Sequence, residues 1–86
     1  MKARFTVDAY TSFQFGFLYC KQVNVTNTGH ATGHWHVNLP VEGYVTSLRG
    51  AYGRQMRGQL YAAGLMYNRF LAPGAKTQFS YCGFNF

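Results

Sequence analysis

Three histidines, two carboxylates and two cysteines are the first residues of this 86-residue chain to weigh for metal-binding, proton-transfer or covalent chemistry. His30, His34 and His36 form a His-x3-His-x-His group. On a strand, His34 and His36 would share a face, and His30 could fold over them. A structural zinc wants four ligands, and no carboxylate or thiolate lies nearby in sequence. The group therefore reads as solvated histidines, and no metal is expected. Asp8 and Glu42 sit in no motif that would pair them for acid–base work. No phosphate-cradling glycine loop, nucleophile elbow or Cys–His constellation stands out. The expectation is a protein that is not an enzyme and needs no cofactor. Cys20 and Cys82 are compatible with one disulfide or with two free thiols. A bridge would stabilise by roughly 3–4 kcal/mol through the unfolded state, but spacing alone does not bring two Cα atoms together.

Aromatic and basic residues dominate what remains. Eight Phe, seven Tyr and one Trp accompany eight Lys and Arg, giving a net charge of +6. That excess suits an anionic partner or simple solubility. The cations are scattered, and only Arg49, Arg54 and Arg57 lie close together. Apolar runs are far shorter than the ~20 residues that span a bilayer, so no membrane partner is expected. No signal-peptide pattern opens the chain; the expectation is that any leader has been removed or replaced by Met1.

The elements that must position these groups read as strands. In Arg4–Asp8, Phe5 and Val7 alternate onto one face, and Val23-Asn24-Val25-Thr26 alternates again before the turn Asn27-Thr28-Gly29. Trp35, Val37 and Leu39 share a face opposite His34, His36 and Asn38, until Pro40 and Glu42-Gly43 end the strand. Tyr44–Leu48 and Gln59–Ala63 are weaker candidates, separated by a glycine-bearing stretch. Leu71-Ala72-Pro73-Gly74 reads as a turn before Thr77–Tyr81, which puts Phe79 and Tyr81 on one face. The helix-like window Tyr61–Met66 is short, uncapped and broken by Gly64. Short strands at regular spacing predict an all-β antiparallel sandwich or barrel, with residues 1–86 as one unit.

Several of these segments fall in a familiar order. Gly16-Phe17, Val23-Asn24-Val25-Thr26-Asn27-Thr28-Gly29, Trp35-His36-Val37, Val45-Thr46, Gly50-Ala51, Asn68, Leu71-Ala72-Pro73-Gly74 and Thr77-x-Phe79 succeed one another across nearly the whole chain. In that order the chain resembles the family 2 carbohydrate-binding modules, the cellulose- and xylan-binding domains. The resemblance implies an immunoglobulin-like antiparallel β-sandwich, non-catalytic binding of a cellulose- or xylan-type polysaccharide, and an extracellular location. It also makes Asn24-Val25-Thr26 part of a sheet pattern rather than a glycosylation triplet. Members of that family grip sugar with a coplanar strip of three exposed Trp, stacking rings on the apolar faces of pyranoses. Carried over by position, the strip becomes Phe13, Arg49 and Tyr67, with Asn68 beside the last. Arg49 could lie flat on a sugar, pair with a carboxylate on an acidic one, or simply be solvated. By pattern alone Phe13 and Tyr67 read as core, because most aromatics in a small domain fill its interior. Phe15, Tyr52 and Tyr10 are substitutes for either ring. Trp35 is a core residue by both the alternation and the resemblance.

The chain also departs from the family. Two residues are inserted between Gly16 and the Val23 strand, neither cysteine stands where the family's disulfide does, and members continue past Phe79-Ser80-Tyr81 with a further strand. An open sheet edge is therefore expected, which makes a structural, self-assembling sandwich the alternative function. Residues Phe84 and Phe86 would either join subunits of a homo-oligomer or fold back as a plug. A basic surface binding an anionic polymer is a further reading. Nucleic acid ranks last as a partner, because no recognisable motif accompanies the charge.

Overall fold

The computed structural model describes residues 2–85. It is an all-β, antiparallel sandwich. Its strands are β1 (Phe5–Phe15), β2 (Leu18–Asn27), β3 (Gly33–His34), β4 (His36–Pro40), β5 (Tyr44–Arg49), β6 (Ala51–Met56), β7 (Gln59–Gly64), β8 (Phe70–Leu71) and β9 (Lys76–Phe84). One layer is a four-stranded sheet in the order β1-β2-β9-β5; the other is three-stranded, β4-β7-β6, with the short β3-β8 pair alongside.

Alternation decides which face each strand turns inward. In β2 the residues Tyr19, Val23, Val25 and Asn27 are buried, and in β9 Phe79 and Tyr81. Leu39 on β4, Leu60 and Ala62 on β7 and Ala51 on β6 meet them from the other layer. Trp35, fully buried, stacks on Phe79 with ring centroids 5.6 Å apart and planes 14° apart. Gly64 makes the room, since a Cβ there would crowd both the Trp35 indole and the Arg69 backbone. Asn27, the buried polar residue, has every side-chain bond accounted for: its amide donates to the carbonyls of Ala31 (2.9 Å) and Leu71 (2.8 Å), and its oxygen accepts from the amides of Gly29 and Arg4. Those bonds convert the turn Asn27-Thr28-Gly29 into a fixed corner of the sandwich.

Three expectations are corrected. The glycine-bearing stretch after Leu48 is not a separator. It is β6, joined to β7 by a two-residue turn in which Arg57 and Gly58 both take positive φ, as a type I′ hairpin requires. The second concerns the segment Cys82–Phe84, which is no tail beside an open edge. It completes β9, where Phe84 pairs with Leu18 on one side and Tyr44 on the other. This segment is paired on both sides, so its backbone groups are already used and the reason given for a homo-oligomer is removed; Phe86 lies outside the described residues. Third, His34 and His36 belong to different strand pairs, because the chain changes partner at Trp35. Among the described residues no group of three His, Cys, Asp or Glu is arranged to hold a metal ion.

Cys20 and Cys82 form a disulfide, which resolves the open choice about the thiols. They stand directly opposite each other on β2 and β9, with Cα atoms 4.0 Å apart. No helix of the described chain is long and apolar enough to cross a membrane.

Candidate functional site

Residues that alternate with the buried set form the outer face of the four-stranded sheet. Its cross-strand register lays side chains out in rows. One row runs Tyr10, Gln22, Ser80, Arg49 across all four strands, and the next runs Phe13, Cys20, Cys82, Ser47. A third holds Asp8, Asn24 and Gln78, and Phe15, Leu18, Phe84 and Tyr44 close the other end. Register shifts between Thr11 and Phe13, and between Val45 and Ser47, keep Phe13 and Arg49 on this face. Gln22 and Gln78 bond to each other side by side upon it.

Phe13, read from pattern alone as core, is 49% exposed, and Tyr67, read the same way, is 78% exposed. The cause lies in the third dimension. Phe13 follows the bulge on β1, an edge strand whose residues beyond Phe5 are all exposed. Tyr67 sits at the tip of the turn between β7 and β8, beside a groove that also includes Asp8, Asn24, Lys76 and Gln78. Arg49 is exposed at the β5 edge of the face. By strand spacing, three steps of about 4.8 Å separate β1 from β5, so Tyr10 and Arg49, which share a row, stand roughly 14 Å apart across the sheet, with Phe13 one row farther along. The structure thus brings Phe13, Arg49 and Tyr67 to one side of the molecule. Tyr10 and Phe15 join them, whereas Tyr52 lies on the opposite layer.

Asn68 does something different from its neighbours. Its side-chain oxygen accepts from the Leu65 amide at 2.8 Å, and its amide donates to the Gly50 carbonyl at 2.9 Å. Its own carbonyl accepts the Trp35 indole N–H at 2.8 Å. Both ends of the amide are occupied, so Asn68 holds the Tyr67 turn against the residue that follows Arg49. Tyr44, 67% exposed on this face, escaped the reading of the sequence. Its alternation with Val45 and its register with Phe84 were the available signal, but a turn stood immediately before it and masked the phase.

A second groove lies where the layers part, lined by Lys21, Glu42, Asn85 and the two buried phenols. Tyr19 donates to the Glu42 carbonyl at 2.6 Å, and the Asn85 amide donates to the Glu42 carboxylate at 2.6 Å. Burial, then Tyr19 and the Glu42 carboxylate, push the Tyr81 phenol up to about 12; burial and Glu42 also raise that of Tyr19. These shifts favour the neutral form of both phenols, and Tyr19 uses its proton in the bond to Glu42.

No protein-family model matches the chain. A stretch of 64 residues, 74% of the chain, is 44% identical to part of the major extracellular endoglucanase of Xanthomonas campestris. The chain spans 13% of that protein's length. Among solved structures, the chitin-binding domain of Chi18aC from Streptomyces coelicolor superposes with a TM-score of 0.76 at 25% identity, over 94% of this chain and 80% of that one. Part of chitinase ChiA74 from Bacillus thuringiensis superposes with a TM-score of 0.83 at 13% identity, over 93% of this chain and 13% of that one, a likeness of fold. The sandwich is therefore similar to a small binding domain taken nearly whole, and to short segments of much larger enzymes.

Proposed function

We propose that this chain is a non-catalytic polysaccharide-binding domain of the family 2 carbohydrate-binding type, acting outside the cell through the outer face of its four-stranded sheet. The observation that carries the reading is the gathering of exposed rings on one side of the molecule, Phe13 and Tyr10 on the sheet face with Arg49, and Tyr67 in the turn beside it. Exposed aromatics on a monomer's surface cost solubility unless something covers them. A pyranose chain covers them well, because its apolar C–H faces stack on rings while its hydroxyls meet a polar rim. Gln22, Gln78, Asn24 and Ser80 supply such a rim between the rings. Asn68 contributes by fixing the turn that presents Tyr67 rather than by touching sugar. Cellulose, xylan and chitin are the polymers to compare: the resemblance points to the first two, and the chitin-binding relative of the fold adds the third. The disulfide suits an oxidising, extracellular setting.

Adsorption to the three insoluble polymers at low and high salt tests the proposal. Binding by stacking is expected to persist at high salt, whereas adsorption driven by the net charge of +6 would fade. Tyr67→Ala is expected to weaken binding by roughly 1–3 kcal/mol, the worth of one aromatic contact, with thermal stability unchanged. Adsorption to none of the polymers, or equal binding by the variant, would refute the assignment.

A further inference from the structure

The outer face of the three-stranded sheet carries a second aromatic platform, on the opposite side of the molecule from the face just described. Cross-strand register places Asn38, Tyr61 and Arg54 in one row and His36, Ala63 and Tyr52 in the next. Tyr61 is 41% exposed and Tyr52 57%. Ala63, with a single methyl group between His36 and Tyr52, leaves a trough in the middle of the sheet. Its banks are two interstrand steps apart, roughly 10 Å, wide enough to seat a sugar ring between them. The floor is mostly apolar, built from Ala63, Ala62 and Gly53.

Charge distinguishes this groove from the first. Arg54 projects beside Tyr61, its cross-strand partner, and is two positions along β6 from Tyr52. Arg57 stands in the adjoining turn. The chain has only two carboxylates, and neither lines the groove: Asp8 is on the other face, and Glu42 accepts a hydrogen bond from Asn85. A guanidinium beside an exposed ring, with no internal anion, complements a ligand that combines an apolar ring face with a planar carboxylate. We infer that the β4-β7-β6 face is a second glycan site, and that its occupant is a uronate-bearing polysaccharide. The pyranose stacks on Tyr61 or Tyr52, and its carboxylate is held by Arg54. A nucleic acid fits less well, because tracking successive phosphates takes a line of cations and the trough itself has one.

Titration calorimetry with an oligogalacturonate hexamer, a neutral xylose hexamer and an oligothymidylate of matched charge tests the inference. The wild-type chain is expected to bind the uronate oligomer more tightly than the neutral one. Tyr61→Ala is expected to weaken that binding about tenfold. Arg54→Gln, a change at an exposed position, should bring it down to the level of the neutral hexamer. Tyr67→Ala should leave it unchanged, and that separates this site from the one on the four-stranded sheet, whose failure would show in the binding of neutral polymers and their oligomers. Three results would each overturn the inference: no binding of oligogalacturonate, binding lost in Tyr67→Ala but kept in Tyr61→Ala, or tighter binding of the oligothymidylate with the same dependence on Arg54.

Discussion

Replacing Trp35 with alanine is expected to cost about 3–5 kcal/mol of folding stability, the range for large aromatic truncations in a packed core. The ring is fully buried and stacked on Phe79, in a place where Gly64 packs close against both the indole and Arg69. The indole N–H also supplies the bond to the Asn68 carbonyl. Trp35→Phe keeps much of the ring but leaves that carbonyl without its donor, so it should lose less stability while loosening the Tyr67 turn. Urea unfolding followed by circular dichroism measures both variants. A loss below about 1 kcal/mol for the alanine variant would mean that the core is not organised around this residue.

Severing the disulfide should have an effect of similar size. Cys20 and Cys82 are 62 positions apart, and closing so long a loop removes roughly 4 kcal/mol of unfolded-state freedom on the chain-entropy view. A domain this small has little surplus to absorb the loss. For a domain of this size each kcal/mol moves Tm by about 4–8 °C, so the paired Cys20→Ser, Cys82→Ser variant should melt far below the oxidised protein. Calorimetric scans of the variant and of the reduced wild type should agree with each other. Equal melting temperatures for oxidised and reduced protein would show that the bridge adds nothing to the β2-β9 pairing beneath it.

How much of this could be read beforehand depended on whether a signal lived within one strand. The alternation of Val23 and Val25 and that of Trp35, Val37 and Leu39 are local, and both turn the right residues toward the core, whereas Asn27, read as part of a turn, is buried at the end of β2. β6 was illegible because Gly53, Arg54 and Gln55 lack β-forming character; its place comes from pairing with β7 and from the positive φ at Arg57 and Gly58. The terminal segment was misjudged by comparison with a longer family pattern, whereas pairing on both sides makes it the middle of a sheet. The candidate site was half legible. Position in the family order picked out Phe13, Arg49 and Tyr67, yet with sixteen aromatics in the chain no pattern could say which rings face water. That depends on the bulge between Thr11 and Phe13, on the edge position of β1 and on the Asn68 bonds that prop up the Tyr67 turn. The platform of Tyr52 and Tyr61 was illegible for the same reason, since its two rings meet only through the register of β6 and β7.

The most direct test of the central claim is a chemical-shift map of the 15N-labelled protein as a soluble β-linked oligosaccharide, a chito- or cello-hexamer, is titrated in. Shifts are expected at Tyr10, Phe13, Gln22, Arg49, Tyr67 and Ser80, fading in Tyr67→Ala, with Trp35 and Leu60 silent in the core. Saturable binding whose shifts avoid the four-stranded sheet, or no shifts with either hexamer, would contradict the account.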